Sequence, residues 1–233
     1  MSTTLTTSAP AVCWACSAVL GGSALLCPNC GKVQPVPAAD YFQVFALERA
    51  LTLDTSTLER EFHRLSRRLH PDRFARATTE EQQWSLANTA LLNDAYRTLR
   101  DPIQRTEYLL KLEGLKIGEE HAGKGKSADR QPPADLLEEV FELNMQLEEM
   151  RMNQKMGESD SVLLSDLNKA KNRFENLLAE VDTDLAAQGA EWDAGSSDVR
   201  QKAANTMATL LDRRRYLRNL VRDVNAVVSN PTA

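Results

Sequence analysis

The sequence predicts an all-α protein, with a helical hairpin and a C-terminal antiparallel three-helix bundle that follow a small metal-binding knuckle segment. Valine and isoleucine are sparse after Asp40, whereas the helix-favouring residues leucine, alanine, glutamate and arginine are plentiful. Apolar residues in this part of the chain recur at intervals of three and four, the spacing of one helical face. All four cysteines lie before this region, which sets the N-terminal segment apart.

The composition is that of an ordinary globular protein. The chain has 233 residues, 42% of them apolar and 26% charged, which leaves room for one or two domains. A net charge of −5 argues against nucleic acid as a partner, and no apolar run approaches the length that spans a membrane. The N-terminus shows neither a secretory signal nor the arginines of a transit peptide, so we expect a cytoplasmic protein.

The first segment, residues 1–39, is predicted to bind a metal ion. Its cysteines form two pairs, Cys13-x2-Cys16 and Cys27-x2-Cys30, and the second pair reads CPNCG, which is typical of a zinc knuckle because the glycine permits a tight turn around a sulfur. Two knuckles supply four thiolates, the ligands of a tetrahedral zinc ion. A closed site of this kind is structural rather than catalytic, and so short a segment needs the metal to fold.

The cysteines have three other interpretations. Two disulfides need an oxidising compartment, for which the sequence gives no signal. A redox-active Cys-x-x-Cys usually opens a helix of a βαβ unit, and no such unit is expected here. Iron in a rubredoxin-like cage stays open as the alternative to zinc. A homodimer contact through this segment also stays open.

Residues 40–113 are predicted to form the first helical domain, after a proline-containing linker. A short helix follows Asp40, and a longer one runs from Asp54 or Ser56 to Leu69. This longer helix has an apolar face of Leu58, Phe62, Leu65 and Leu69 and, opposite to it, a basic strip of Arg60, Arg64, Arg67 and Arg68. One face therefore packs and the other faces outward.

Two more helices complete this domain. Pro71 ends the longer helix, because proline cannot extend it and disfavours helical geometry at His70. The next helix runs from about Thr79 to Leu99, with an apolar pattern of Trp84, Ala87, Leu91, Leu92, Ala95 and Leu99. Asp101 caps a fourth helix that starts at Pro102 and ends near Leu112.

Residues 114–133 are rich in glycine and proline and are predicted to be a flexible linker; His121 lies there and is assigned no role.

Residues 134–233 then form three long helices, broken near Gly157 and near Gly189 to Gly195. The first has a core stripe of Leu136, Val140, Leu143, Leu147 and Met150. The last has a core stripe of Val199, Ala203, Leu210, Leu217, Val221, Val224 and Val228, with Tyr216 predicted off the core.

The first helix of this bundle has more apolar surface than one core needs. A second stripe of Leu137, Phe141 and Met145 lies more than a quarter turn away from the core stripe, and Glu138, Glu142 and Glu149 lie beyond it. An exposed apolar strip beside carboxylates is a candidate surface for a protein partner. The alternative is that this second stripe packs on the first helical domain or on the linker.

The first helical domain resembles a J-domain. It has two antiparallel helices, a basic strip on the first of them, and a tight loop between them of His70, Pro71 and Asp72. These three residues match the signature tripeptide of a J-domain. The rest of the chain is similar to the HscB family, the Hsc-type J-domain co-chaperones of iron–sulfur cluster assembly. The similarity rests on the run NDAYRTLRDP, the run RTEYLL after it, and the acidic three-helix bundle that follows. The four-cysteine segment resembles an N-terminal extension of some family members.

The resemblance implies two protein partners and no enzymatic activity of the chain itself. The J-domain would dock on the ATPase domain of a chaperone of the HscA/DnaK class and promote its ATP hydrolysis, and the bundle would deliver a scaffold protein of the IscU type for cluster transfer. The chaperone-binding residues would be His70, Pro71, Asp72, Arg60, Arg64, Arg67, Arg68 and Arg73. The scaffold-binding residues would be Leu137, Phe141, Glu142 and Tyr216.

Two functions of other classes compete with this interpretation. The chain could be a general J-protein adaptor for unfolded clients, which selectivity for a folded scaffold would exclude. It could also be a metal-centred redox module tethered to a J-domain, which a colourless, redox-inert zinc ion would exclude.

Overall fold

The computed structural model describes residues 11–21, 23–115, 117 and 133–229. Within them the regular structure is helical apart from two isolated bridges, so the predicted all-α class is confirmed. The helices are α1 (Tyr41–Val44), α2 (Thr55–Leu69), α3 (Thr79–Arg100), α4 (Pro102–Leu112), α5 (Leu137–Met156), α6 (Ser161–Ala194) and α7 (Ser197–Val228), with short 3-10 turns at Pro71–Phe74 and Ala134–Leu136.

The chain divides into two compact units, Met1–Tyr108 and Leu109–Ala233. The predicted flexible linker, with His121, falls mostly outside the described residues. None of the helices that the structure describes is long and apolar enough to cross a membrane.

In the first unit, α2 and α3 form the predicted hairpin. The carboxylate of Asp54 accepts the backbone N–H of Ser56 and so caps α2. The apolar residues Leu58, Leu65 and Leu69 of α2 are buried, while Phe62 stacks on Tyr96 of α3 with 4.1 Å between the ring centroids. The longer helix therefore buries the face that its sequence pattern predicts.

The buried face of α3 changes character along the helix. Its C-terminal half buries the apolar residues Leu92, Ala95 and Leu99, as predicted, but its N-terminal half buries the polar residues Glu81, Ser85 and Asn88. Ala87, predicted on the apolar face, is exposed. The reason is that the first turns of α3 face the cysteine segment and the end of α2, which supply polar partners.

Helix α4 begins as predicted, with Pro102 in its first position. The Oδ1 atom of Asp101 accepts the backbone N–H groups of Ile103 and Gln104, both at 2.9 Å. Arg105 is buried, and its guanidinium donates to the carbonyl oxygens of Leu51 and Leu99. This cation thus binds carbonyl groups of the loop before α2 and of the last turn of α3.

The second unit contains the predicted three-helix bundle of α5, α6 and α7. Helix α5 ends at Gly157, which has a φ of 73°, the left-handed conformation that glycine adopts at helix ends. Gly195 separates α6 from α7; a Cβ atom there would lie 2.6 Å from Cγ1 of Val199. Gly189 lies inside α6 and is buried, so the predicted break begins only at Gly195.

The bundle core confirms the prediction for α5 and corrects it for α7. All five residues of the predicted α5 core stripe are buried. In α7, Val199 is exposed, and Tyr216, predicted off the core, is only 6% exposed. Helix α7 packs against both α5 and α6, so its buried arc is wider than a single stripe and includes Tyr216 as well as Leu217.

Candidate functional site

The sulfur atoms of Cys13, Cys16, Cys27 and Cys30 all lie within 4.8 Å of one another. The Cys13 and Cys30 sulfurs are 3.6 Å apart and the Cys16 and Cys27 sulfurs are 3.7 Å apart, far more than the ~2.05 Å of a disulfide. A tetrahedron with metal–sulfur bonds of about 2.3 Å has edges of roughly 3.8 Å. The four free cysteines therefore have the spacing of a four-thiolate metal site.

The two cysteine pairs form matching knuckles. In the first, the backbone N–H of Ser17 donates to the Cys13 carbonyl oxygen at 2.9 Å, and in the second Gly31 donates in the same way to Cys27 at 2.9 Å. Both turns need a positive φ, 57° at Ser17 and 75° at Gly31. Sequence reasoning found Gly31 but missed Ser17, since serine carries no signal for this conformation.

Hydrogen bonds and neighbouring sulfurs shift the acidity of the cysteines in opposite directions. Burial opposes ionisation of Cys13, but N–H groups of Ala15 and Cys16 outweigh it and lower the pKa of Cys13 to about 6. The N–H of Lys32 favours ionisation of Cys30, yet burial and the three other cysteines raise the pKa of Cys30 to about 12. Four thiolates this close repel one another, so full ionisation of the cluster requires a bound cation.

The second knuckle packs on the polar face of α3. Nζ of Lys32 lies 2.7 Å from Oε1 of Glu81, and this hydrogen bond is the main reason that the pKa of Glu81 lies below its usual value. From the first knuckle, Trp14 makes an edge contact with Trp84 at 5.7 Å between ring centroids. Sequence reasoning missed these contacts, although Lys32 is the only charged residue before Asp40.

The His-Pro-Asp turn lies directly after α2, as predicted. His70 and Asp72 are exposed, and Nδ1 of His70 accepts the backbone N–H of Asp72 at 3.3 Å. The Leu69 carbonyl oxygen, at the beginning of the turn, accepts the hydroxyl of Ser85 at 2.6 Å. The turn therefore presents two polar side chains to solvent from a firmly held backbone.

The basic strip of α2 is exposed beside this turn. Its members, with the arginine of the turn, are Arg60, Arg64, Arg67, Arg68 and Arg73. Two of them also make contacts within α2, since Arg64 pairs with Glu61 and Arg60 donates to the hydroxyl of Thr57 at 2.7 Å. The predicted chaperone-binding arginines are thus all exposed, on α2 and on the turn that follows it.

The second apolar stripe of α5 faces outward. Leu137 is 57% exposed, Phe141 69% and Met145 60%, and Glu142 beside them is exposed as well. The stripe is therefore not part of the core of the three-helix bundle.

Tyr216 does not join the α5 stripe on the surface. It is buried, and among the described residues its hydroxyl has no hydrogen-bond partner. Nearby, Arg213 pairs with Asp135 at 2.7 Å and ties α7 to the 3-10 turn before α5. Tyr216 is therefore part of the bundle interior, and three of the four predicted scaffold-binding residues lie on the exposed face of α5.

Comparisons with known proteins point to one family, although no family model matches the chain. The chain is 34% identical over 155 residues to the human iron-sulfur cluster co-chaperone protein HscB, a match that covers 65% of this chain and 63% of the human protein. It is 31% identical over 163 residues to a co-chaperone protein HscB homolog of Neisseria meningitidis, covering 70% of this chain and 90% of that protein.

A solved structure agrees with these relatives. The crystal structure of human co-chaperone protein HscB superposes with a TM-score of 0.64 and 25% identity, covering 93% of this chain and 98% of that one. The chain belongs to the HscB family of co-chaperones.

Proposed function

We propose that this protein is a co-chaperone of iron–sulfur cluster assembly that stimulates the ATPase of an HscA/DnaK-class chaperone and delivers an IscU-type scaffold protein to it. The observation that carries the proposal is the exposed turn of His70 and Asp72 at the end of the basic helix α2. A row of arginines suits an acidic surface on the chaperone, because complementary charge speeds and orients docking.

The scaffold is proposed to bind the exposed stripe of α5. Leu137 and Phe141 offer apolar area, and Glu142 offers a carboxylate at the edge of that area. Such a surface fits a partner that presents apolar residues beside basic ones.

The metal is proposed to be zinc with a structural role. Cys13, Cys16, Cys27 and Cys30 supply four thiolates and leave no open coordination position. Zinc would hold the two knuckles together without taking part in redox chemistry. Elemental analysis of the purified protein should give one zinc per chain and no visible colour, whereas a coloured, iron-loaded protein would support the redox module instead.

The decisive experiment measures steady-state ATP hydrolysis by the cognate Hsc-type chaperone, with and without the scaffold. We expect stimulation by this protein that increases further when the scaffold is added. The variant His70→Gln should lose the stimulation and keep its fold, because His70 is exposed. The matched control is His63→Gln, which changes an exposed histidine within α2 and should stimulate like the wild type.

Other outcomes identify the competing functions. Stimulation that does not depend on the scaffold, together with binding of a denatured model protein, would favour a general J-protein adaptor. Full stimulation by His70→Gln would contradict the role of the turn. No stimulation at all by the wild type would refute the co-chaperone proposal.

A further inference from the structure

We propose that the cysteine knuckles position the His70–Asp72 turn through an ion pair between Lys32 and Glu81, so that loading of the metal site controls how well the turn acts on the chaperone. The role of the turn rests on the proposed function. The coupling between the metal site and the turn rests on contacts within the first unit alone, and it can be followed in three links.

The first link joins the metal site to Lys32. This residue follows Cys30 by two positions, and its backbone carbonyl oxygen accepts the N–H of Cys27 at 2.8 Å and the side-chain amide of Gln34 at 2.9 Å. The same amide also donates to the sulfur of Cys13 at 3.4 Å. The backbone of Lys32 is therefore held by both knuckles, and its position depends on the cysteines staying together.

The second link joins Lys32 to the start of α3. The side chain of Glu81 is only 4% exposed, and a carboxylate buried to this degree is costly without a cation beside it. Oε1 of Glu81 accepts from Lys32 at 2.7 Å, while Oε2 accepts the backbone N–H of Thr78 at 3.3 Å. The Thr78 hydroxyl accepts the Glu81 N–H in return at 3.2 Å. One carboxylate thus bridges the knuckle and the capping box that begins α3.

The third link joins the start of α3 to the turn. On one side, the Leu69 carbonyl oxygen accepts hydroxyl groups of Ser85 at 2.6 Å and Thr89 at 3.3 Å. On the other side, the side-chain amide of Gln82 donates to the carbonyl oxygens of Ala75 and Ala77 at 3.4 and 3.1 Å. Because α3 holds the chain both before and after the turn, a shift of its first turns moves His70 and Asp72.

The three links predict what metal loss does. When the knuckles separate, Lys32 leaves Glu81, and the carboxylate loses the cation that offsets its burial. The capping box of α3 is then weakened, and the segment from the turn to Gln82 opens more often. Lys32 and Glu81 are positioning residues in this scheme, since neither lies on the exposed surface of the turn itself.

The test compares full-length, metal-loaded proteins by hydrogen exchange and by chaperone stimulation. The variants are Lys32→Met and Glu81→Gln, with Lys32→Arg as the conservative rescue. The matched control is Lys169→Met, which removes the lysine of an exposed pair with Asp166 at 2.8 Å. Metal content is measured for each variant, so that loss of the ion pair is distinguished from loss of the metal.

We expect Lys32→Met and Glu81→Gln to speed amide exchange in residues 71–82 by about tenfold. This corresponds to a tenfold larger equilibrium constant for local opening of the segment. Maximal chaperone stimulation should fall, while the concentration for half-maximal stimulation changes less, because the arginines of α2 stay in place. Lys32→Arg should restore both, and Lys169→Met should match the wild type. Removal of the metal from the wild type should raise exchange in the same segment.

The proposal is overturned if metal-loaded Lys32→Met shows wild-type exchange in residues 71–82, even where its melting temperature falls, because Lys32 would then be a stabilising contact only. It is also overturned if the metal-free wild type keeps its protection there. If amide exchange changes as expected but the wild type does not stimulate the chaperone, the proposed function is refuted. The coupling between the metal site and the turn is then still supported.

Discussion

The side-chain amide of Asn88 donates to the backbone carbonyl oxygen of Gln34 at 2.8 Å, and both residues are buried. This hydrogen bond joins the middle of α3 to the end of the second knuckle. A buried carbonyl group without a donor is costly, so the contact explains why an asparagine lies where a hairpin core would otherwise place an apolar residue.

We expect Asn88→Ala to lower the free energy of unfolding by roughly 1–3 kcal/mol, because it leaves the Gln34 carbonyl group buried without its donor. Urea unfolding of the metal-loaded protein, followed by tryptophan fluorescence, measures this loss, since Trp14 and Trp84 both lie in the first unit.

The matched control is Asn168→Ala. Asn168 also donates its side-chain amide to a backbone carbonyl oxygen at 2.8 Å, but it is exposed on α6. A change within about 0.5 kcal/mol is expected there, as for other surface substitutions. Equal losses in the two variants would show that burial of the Asn88 contact has no energetic role.

Tyr216→Phe should not destabilise the bundle and should stabilise it by up to about 1 kcal/mol. The reason is that the buried hydroxyl has no hydrogen-bond partner among the described residues, so that its removal ends a desolvation cost without breaking a contact. Urea unfolding measures the change. A loss of more than about 1 kcal/mol would show that the hydroxyl is hydrogen-bonded after all.

The same variant makes a prediction about pH. Burial raises the pKa of Tyr216 above its ordinary value of 10.0. The folded protein therefore holds the phenolic proton more tightly than the unfolded chain does. The stability that this difference contributes is fully present below the pKa of the unfolded chain, and it is lost as the pH rises towards the pKa of the folded protein. Wild type should therefore lose stability above about pH 10 relative to Tyr216→Phe.

This pH prediction is checked by comparing the unfolding of the two proteins at about pH 8 and about pH 10.5. Tyr108, whose pKa burial also raises, is present in both proteins and cancels in the difference. An advantage of Tyr216→Phe that stays constant across this range would show that Tyr216 ionises equally in the folded and unfolded states.

The double variant Leu137→Ala with Phe141→Ala should weaken scaffold binding by about 2 kcal/mol or more, roughly thirtyfold in Kd, as the loss of interface anchors does. Both side chains are more than half exposed, so the stability of the bundle should change little. Isothermal calorimetry with the scaffold measures the affinity, and thermal unfolding measures the stability.

A second double variant serves as the control for this surface. Val162→Ala with Leu164→Ala also removes exposed apolar side chains, but at the start of α6 and outside the proposed face. It should bind the scaffold like the wild type. Equal weakening by both double variants, or by neither, would count against a localised site at Leu137 and Phe141.

The sequence was sufficient for the parts of the fold that periodicity determines. The apolar faces of α2 and α5 are long and regular, and the structure buries the residues that they predict, among them Leu65 and Leu143. The cysteine cluster was predictable for a different reason, because thiolates at this spacing have few uses apart from metal binding.

Periodicity failed where a helix contacts more than one neighbour. A single apolar stripe on α7 leaves Tyr216 off the core, whereas this helix packs against two others. The burial of Glu81 and Asn88 was not predictable, because their partners, Lys32 and Gln34, lie about fifty positions earlier in the chain. No local pattern links positions so far apart.

The two knuckles provide an internal comparison of serine with glycine in the same conformation. Ser17 has a φ of 57° and Gly31 a φ of 75°, a region that costs residues with a Cβ atom roughly 1 kcal/mol. Ser17→Gly should therefore strengthen the metal-bound knuckle, and Gly31→Ala should weaken it. Because metal binding and folding of such a segment are coupled, each change should alter the apparent metal affinity about fivefold.

Competition with a chelator measures this affinity for each variant. Gly21→Ala is the matched control, because an added Cβ atom at Gly21, as at Gly31, would meet nothing within 4 Å, while only Gly31 of the two has a positive φ. The control should bind metal like the wild type. If Gly31→Ala also bound like the wild type, backbone strain would not limit the second knuckle, and the serine in the first would carry no cost.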